Sequence, residues 1–159
     1  MKLLLLTVVS GCLLLSGCGS GKPDAGKTAP ATWEQVASFG AVSVGPGGAQ
    51  PQIEPPDSPP PGQLKSRDLV VGSGKAARRG DEVFVYYVGV EYKSGRVMAR
   101  TWLPRKPLVF PLGTGGWDKT WEEGIEGMRA GGLRELVVPE AFPDGPTLDF
   151  VVKLVRVGS

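Results

Sequence analysis

The sequence predicts an α+β fold in which an antiparallel β-sheet of about five strands wraps around one short α-helix. From about residue 64 onward, β-branched and aromatic residues recur in short runs bounded by glycine, proline and polar turns, a pattern typical of antiparallel strands. One stretch, residues 120–132, instead has apolar residues at helical spacing. The 159-residue chain is long enough for one small domain with appendages.

The predicted strands follow one another with short connections. A short apolar run at residues 68–74 ends at a glycine, and a long strand at residues 82–92 follows the turn at Gly80-Asp81. Residues 93–95 have the composition of a hairpin turn. Three more strands are expected at residues 106–113, 133–139 and 146–157. The prolines of the first of these three favour an edge or bulge position.

The single helix carries signals at both of its ends. Thr120 and Glu123 have the spacing of a capping box, which predicts the N-terminus. Trp121 and Ile125 share one face with Met128, and Gly131 is a natural C-cap.

Two glycines inside this helix need a reason. Gly124 and Gly127 each cost about 1 kcal/mol of helix propensity relative to alanine. We therefore expect the helix to lie across the concave face of the sheet and to approach strand backbone closely.

The N-terminus is predicted to be a targeting segment. One positive charge, Lys2, precedes an apolar run at residues 3–15 that is too short for a comfortable membrane span. The run ends in Leu-Ser-Gly-Cys, which resembles the lipobox of bacterial lipoproteins. The resemblance implies a signal peptide at residues 1–17 and lipidation of Cys18.

Two alternatives remain for this segment. A second match ends at Cys12 but leaves an apolar run of only about seven residues, and an ordinary signal peptide with a stray cysteine is the other possibility. With Cys18 lipidated, Gly19 after it favours the outer membrane, facing the periplasm.

Residues 18–63 are predicted to be a Pro/Gly-rich disordered tether between the lipid and the domain. Nine of the fifteen prolines fall within residues 22–62, as expected of a semi-rigid extended linker. Residues 32–44 have enough apolar content for a short docking element, which is the alternative for that part. The folded domain is then residues 64–159.

Composition excludes several kinds of chemistry. There is no histidine, which removes imidazole acid–base chemistry, Ser-His-Asp and Cys-His nucleophiles, and histidine metal ligands. The net charge of +2, without a clustered basic stripe, does not indicate a nucleic-acid partner. We expect no cofactor, no metal and a monomer.

Four stretches, in order and spacing, resemble the FKBP-type peptidyl-prolyl cis–trans isomerases. They are "GDEVFVYYVG…SG", "PLVFPLGTG", "WEEGIEGMRAGGLRELVVP" and "TLDFVVKLVRV". The resemblance covers about residues 68–157 and implies an antiparallel sheet wrapped on a short helix. It also implies an apolar aromatic pocket that acts on X-Pro bonds of peptides or unfolded protein clients.

Carried over by position, the resemblance implies three pocket residues: Trp121 as the floor, and Tyr87 and Phe150 as walls. By pattern alone each could equally be an ordinary core or sheet aromatic. Four further positions match substrate-binding residues of the family: Met98, Leu108, Trp117 and Asp118, the last through its backbone N–H.

Two features depart from the family's pattern. Met98-Ala99 stands where the family has a Phe-Asp pair whose carboxylate bonds the pocket tyrosine. The connection before the last strand is also too short for the family's flap, so we expect an open pocket. Three functions therefore stay under consideration: a lipid-anchored prolyl isomerase, a peptide-binding or chaperone module without turnover, and an inert structural lipoprotein.

Overall fold

A six-stranded antiparallel sheet lies at the centre of the structure, a computed structural model that describes residues 38–103, 105–141 and 145–158. All of these belong to the unit Ala31–Ser159. The predicted signal peptide and Cys18 lie outside the described residues. The strands are β1 Ala41–Ser43, β2 Gln52–Glu54, β3 Lys65–Val70, β4 Glu82–Glu91, β5 Val97–Arg100, β6 Leu108–Pro111, β7 Leu133–Val138 and β8 Leu148–Val157.

The sheet has the order β3-β7-β8-β4-β5, and β6 pairs with β4 beside β5. The ten-residue strands β4 and β8 are its centre and pair along most of their length. On the other side of β4, β6 takes the first half of the strand and β5 the second half. This confirms the predicted α+β fold of an antiparallel sheet with one short helix.

One face of the sheet, the front face, packs against the helix α1, Lys119–Ile125. In β8 it carries Phe150, Val152 and Leu154, which alternate with the residues of the opposite face. These side chains join the main core, whose members are at most 5% exposed. Its largest helix and loop contributors are Trp121, Ile125, Met128 and Leu112.

The back face of the sheet is also covered, and this was not expected. The expectation of a disordered tether is wrong for residues 38–63, because β1 and β2 pair as a hairpin there. Ile53 of this hairpin is buried in a second core with Val88, Val151 and Trp102. The docking element proposed as the alternative for residues 32–44 fits the part that the structure describes.

We call residues 38–61 the strap. Polar contacts attach it at its first residue and near its middle: the Tyr92 hydroxyl donates to the Ser38 carbonyl at 3.2 Å, and the indole N–H of Trp102 donates to the Gly48 carbonyl at 3.0 Å. The physical reason for the strap is that β4 and β8 carry apolar side chains on both faces. A sheet with two apolar faces needs cover on each of them.

The helix begins and ends earlier than its signals predicted. The carboxylate of Asp118 is the N-cap and accepts from the Trp121 N–H at 2.9 Å, so the predicted Thr120–Glu123 capping box is wrong. The helix ends at Ile125 rather than near Gly131, because Gly127 adopts a left-handed conformation with φ of 80°.

The two glycines have different reasons, and one corrects our expectation. A Cβ on Gly124 would lie 2.8 Å from both methyl carbons of Leu136, so the close neighbour is a strand side chain and not strand backbone. A Cβ on Gly127 would meet nothing within 4 Å. Glycine is therefore needed at position 127 only because of the left-handed backbone conformation there.

Candidate functional site

Trp121 forms the floor of an aromatic cluster on the front face. It is the third residue of α1, is 4% exposed, and contacts four other rings at centroid distances of 5.5–6.1 Å. Phe110 of β6 stacks on it at 5.5 Å, and Tyr87 of β4 meets it edge-on at 5.6 Å. Such pairs add about 0.5–1.5 kcal/mol each beyond the area they bury.

Tyr87 forms one wall of the site. Its ring lies edge-on to Phe150 at 6.1 Å, and its backbone N–H donates to the Thr101 hydroxyl at 3.0 Å. Burial raises the pKa of Tyr87 above its ordinary value of 10.0, so the phenol keeps its proton at neutral pH. No described residue hydrogen-bonds its hydroxyl group, which leaves that hydroxyl able to serve a bound molecule.

The loop before the helix forms the opposite wall, and Glu122 braces it. The Glu122 side chain is only 3% exposed, and its two oxygens accept from the backbone N–H groups of Gly113 at 2.7 Å and Trp117 at 2.9 Å. A third, longer contact comes from the Gly115 N–H at 3.4 Å. A single buried carboxylate thus fixes the loop that presents Trp117 to the cavity.

The cavity enclosed by these walls is small and almost wholly apolar, with a volume of about 30 Å³. Its lining residues are Tyr87, Ala99, Trp117, Asp118, Trp121, Ala141 and Phe150. The carboxylate of Asp118 accepts from the Trp121 N–H as the N-cap of α1. Its negative charge therefore interacts with the N-terminus of the helix.

The structure brings together five of the seven predicted pocket residues. Two others lie elsewhere: Met98 is 44% exposed and does not line the cavity, and Leu108 packs against the main core. Met98 misses the cavity because the side chains of successive strand residues point to opposite faces. Leu108 shares the face of Phe110 in β6 and packs against the main core, but it does not line the cavity. Ala99, next to Met98, is the β5 residue that reaches the cavity.

Sequence reasoning missed Ala141 and the brace by Glu122. Ala141 lies after β7 and is 1% exposed, and no local pattern marks a small residue as a cavity wall. For Glu122, the sequence analysis predicted no bracing role. The glycine-rich loop at residues 113–116, which needs partners for its backbone N–H groups, was the available signal.

Neither metal nor membrane features are found in the described part of the chain. Residues 38–103, 105–141 and 145–158 contain no group of three or more potential metal-ligating side chains. Over the same residues, no helix combines the length and the apolar character needed to cross a membrane.

The described residues thus form a six-stranded antiparallel sheet on one short helix, with an aromatic cavity between them. The sequence profile of the FKBP-type peptidyl-prolyl cis-trans isomerase matches residues 73–155. The chain belongs to this family.

Similar proteins come from several bacteria. An FK506-binding protein of Streptomyces anulatus is 37% identical over 120 residues, which are 68% of this chain and 97% of the relative. A probable FK506-binding protein of Corynebacterium glutamicum is 39% identical over 67% of this chain and 97% of its own length. The crystal structure of FkpA from Escherichia coli superposes with a TM-score of 0.55 at 26% identity, over 79% of this chain and 55% of that chain.

Proposed function

We propose that this protein catalyses the cis–trans isomerisation of X-Pro bonds in peptides or unfolded proteins, in the cavity above Trp121. The observation that carries the proposal is the convergence of Tyr87, Trp117 and Phe150 on the buried Trp121 ring. These rings give an apolar cavity with an open mouth, which suits a proline ring.

The chemistry requires no nucleophile, acid or metal. Rotation about an amide has a barrier of about 18–20 kcal/mol because the planar bond is conjugated. The twisted transition state has lost that conjugation and much of the bond's polarity. An apolar cavity therefore binds the twisted form better than the planar one, and only such a difference accelerates the reaction.

Hydrogen-bond donors orient the substrate in this scheme. Tyr87 lines the cavity and its phenol keeps its proton, and Asp118 lines the cavity as well. We assign the Tyr87 hydroxyl as the donor to the substrate. A donor that meets the substrate carbonyl only in the twisted geometry contributes about 0.5–1.5 kcal/mol, the usual net worth of a neutral hydrogen bond.

One observation favours a second function, a peptide-binding or chaperone module without turnover. Ala99 lines the cavity beside Tyr87, where the family has an aspartate that orients the tyrosine. A tyrosine without that partner is less well ordered for catalysis, although its ring still binds apolar segments.

The test is the isomerisation rate of an X-Pro peptide, measured by NMR exchange with residues 31–159. We expect acceleration in proportion to protein, and a two- to twelvefold loss of kcat/KM in Tyr87→Phe. Tyr86→Phe is the matched control, because its hydroxyl donates to the Arg105 carbonyl instead of serving the cavity. An unchanged rate in Tyr87→Phe would exclude the hydroxyl role.

Ala99→Asp separates the two functions further. If it raises a measurable rate, the protein is an isomerase with a poorly oriented tyrosine. If the folded wild-type protein binds the peptide but does not accelerate its isomerisation, the binding module is the correct function.

We also propose that the protein is held at the bacterial outer membrane, facing the periplasm, by lipid on Cys18. The supporting evidence is the Leu-Ser-Gly-Cys sequence and the apolar run before it. Metabolic labelling with a radioactive fatty acid should mark the wild-type protein but not the Cys18→Ser variant. If labelling is lost in Cys12→Ser instead, the lipidated residue is Cys12 and the proposal is wrong.

A further inference from the structure

The back face of the sheet buries two acidic side chains that the pocket does not use. Glu135 of β7 and Asp149 of β8 are both 0% exposed. They lie on the same face of neighbouring strands, diagonally across the register in which Val137 pairs with Asp149. Two carboxylates that share a buried site cannot both be ionised without a large cost.

Within the described part of the chain, one full positive charge contacts this pair. Arg67 of β3 donates from Nε to Glu135 Oε2 at 2.6 Å, which compensates one carboxylate. The other three oxygens of the pair, Glu135 Oε1 and both of Asp149, are buried without a well-formed hydrogen bond among the described residues. The two carboxyl groups are within hydrogen-bonding reach of each other, so one proton placed between them supplies the missing donor.

The strap closes this site through its own backbone. Arg67 Nη2 donates to the Gly40 carbonyl at 2.7 Å, and the Gly40 N–H faces the carboxyl pair. The site has no room at this residue, since a Cβ on Gly40 would overlap the Glu54 carbonyl and lie 3.5 Å from Asp149 Oδ2. The strap therefore contributes to the burial of the pair.

The remaining surroundings supply little further charge. Among the described residues, β4 places Val90 opposite Asp149 and Val88 opposite Val151. Lys153 lies further along the same face of β8, with its ammonium group near Gly48 of the strap. Glu54 of the strap has an exposed side chain.

We propose that a proton shared by Glu135 and Asp149 locks the strap onto the back face, and that loss of this proton releases the strap. The lock is a regulatory device separate from the front-face pocket. Release would return residues 38–61 to the tether and lengthen the reach of the domain.

The direction of the pH effect follows from burial. Desolvation, the charge of Glu135 and the hydrogen bond to Glu135 raise the pKa of Asp149 from 3.8 to about 8. Desolvation likewise raises the pKa of Glu135. The docked state keeps a proton that the released state loses. The equilibrium constant for docking therefore falls by up to tenfold per pH unit between about pH 4 and pH 8, and it is constant above that range.

Hydrogen–deuterium exchange of the full-length chain in detergent micelles tests this. After correction for intrinsic exchange, protection of the strap, residues 38–61, should fall at least tenfold from pH 5 to pH 8. Protection of β8 should change little over this range. A hairpin of two three-residue strands has little stability by itself, so its amides lose protection from exchange when the strap is released.

Three variants make the test specific. Asp149→Asn should remove the pH dependence, Gly40→Ala should lower strap protection at every pH, and Asp57→Asn in the exposed part of the strap should behave as wild type. If Asp149→Asn does not fold, Glu135→Gln takes its place. Strap protection that is constant from pH 5 to 8, or a dependence that persists in both carboxyl variants, would overturn the proposal.

Discussion

The two faces of the central sheet are buried by different means. On the front face a seven-residue helix and five aromatic rings form an apolar core with a cavity at its edge. On the back face a strap with two three-residue strands covers apolar side chains together with Glu135 and Asp149.

The difference shows how one sheet can hold a fixed surface and a releasable one. Ring packing depends on contact area and shape, which do not change with pH. A buried carboxyl pair depends on protonation, because desolvation penalises the charged form. The front face is therefore suited to a preorganised pocket, whereas the back face is suited to a segment, the strap, that docks and is released.

The largest expected effect is on the front face. Trp121→Ala should lower the free energy of unfolding by about 3–5 kcal/mol, since it removes a buried ring with four ring partners. Denaturant unfolding measures this. Ile53→Ala on the strap should instead reduce strap protection with a smaller change in the global midpoint. Equal losses in both variants would mean that the strap is an integral part of the fold.

Glu122→Gln should have an intermediate effect at the edge of the pocket. The amide has one acceptor oxygen where the carboxylate has two, so a loop N–H loses its partner at a cost of about 1–3 kcal/mol. Thermal unfolding gives the stability, and Trp117 should become more accessible to acrylamide. The control is Glu123→Gln on the exposed side of the helix, which should change stability by less than about 0.5 kcal/mol. Equal effects in the two variants would contradict the bracing role.

The smallest effects distinguish the two glycines of the predicted helix, Gly124 and Gly127. Gly124→Ala should cost about 1–2 kcal/mol net, because the new methyl group meets Leu136, and Leu136→Val should relieve part of that cost. Gly127→Ala should cost about 1–2 kcal/mol through its left-handed backbone, with no relief from Leu136→Val. A double-mutant cycle by urea unfolding measures both, and equal coupling to Leu136 at the two sites would contradict the assignment.

Much of the fold could be predicted from local pattern, and much of the pocket from the family resemblance. The apolar patterns of β4 and β8 and the helical spacing around Trp121 predicted the sheet and the helix, whereas the resemblance to the FKBP-type isomerases implied the aromatic residues of the cavity. Two of the errors fall where nearby residues compete for one role. Met98 was predicted at a position that Ala99 occupies, and Thr120 was predicted as the cap that Asp118 supplies.

The sequence by itself determined which segments are strands and helix, and that an aromatic pocket lies beside Trp121. These follow from residue spacing within about ten positions and from motifs of fixed order. Only the tertiary structure decided the fate of residues 38–61 and of the carboxyl pair. Proline-rich composition favours an extended chain. Without the strap, however, the apolar back face of the sheet would be exposed, and burying it stabilises the docked chain more. Glu135 and Asp149 are ordinary acidic residues in the sequence, and they become a coupled pair because β7, β8 and the strap meet at that place.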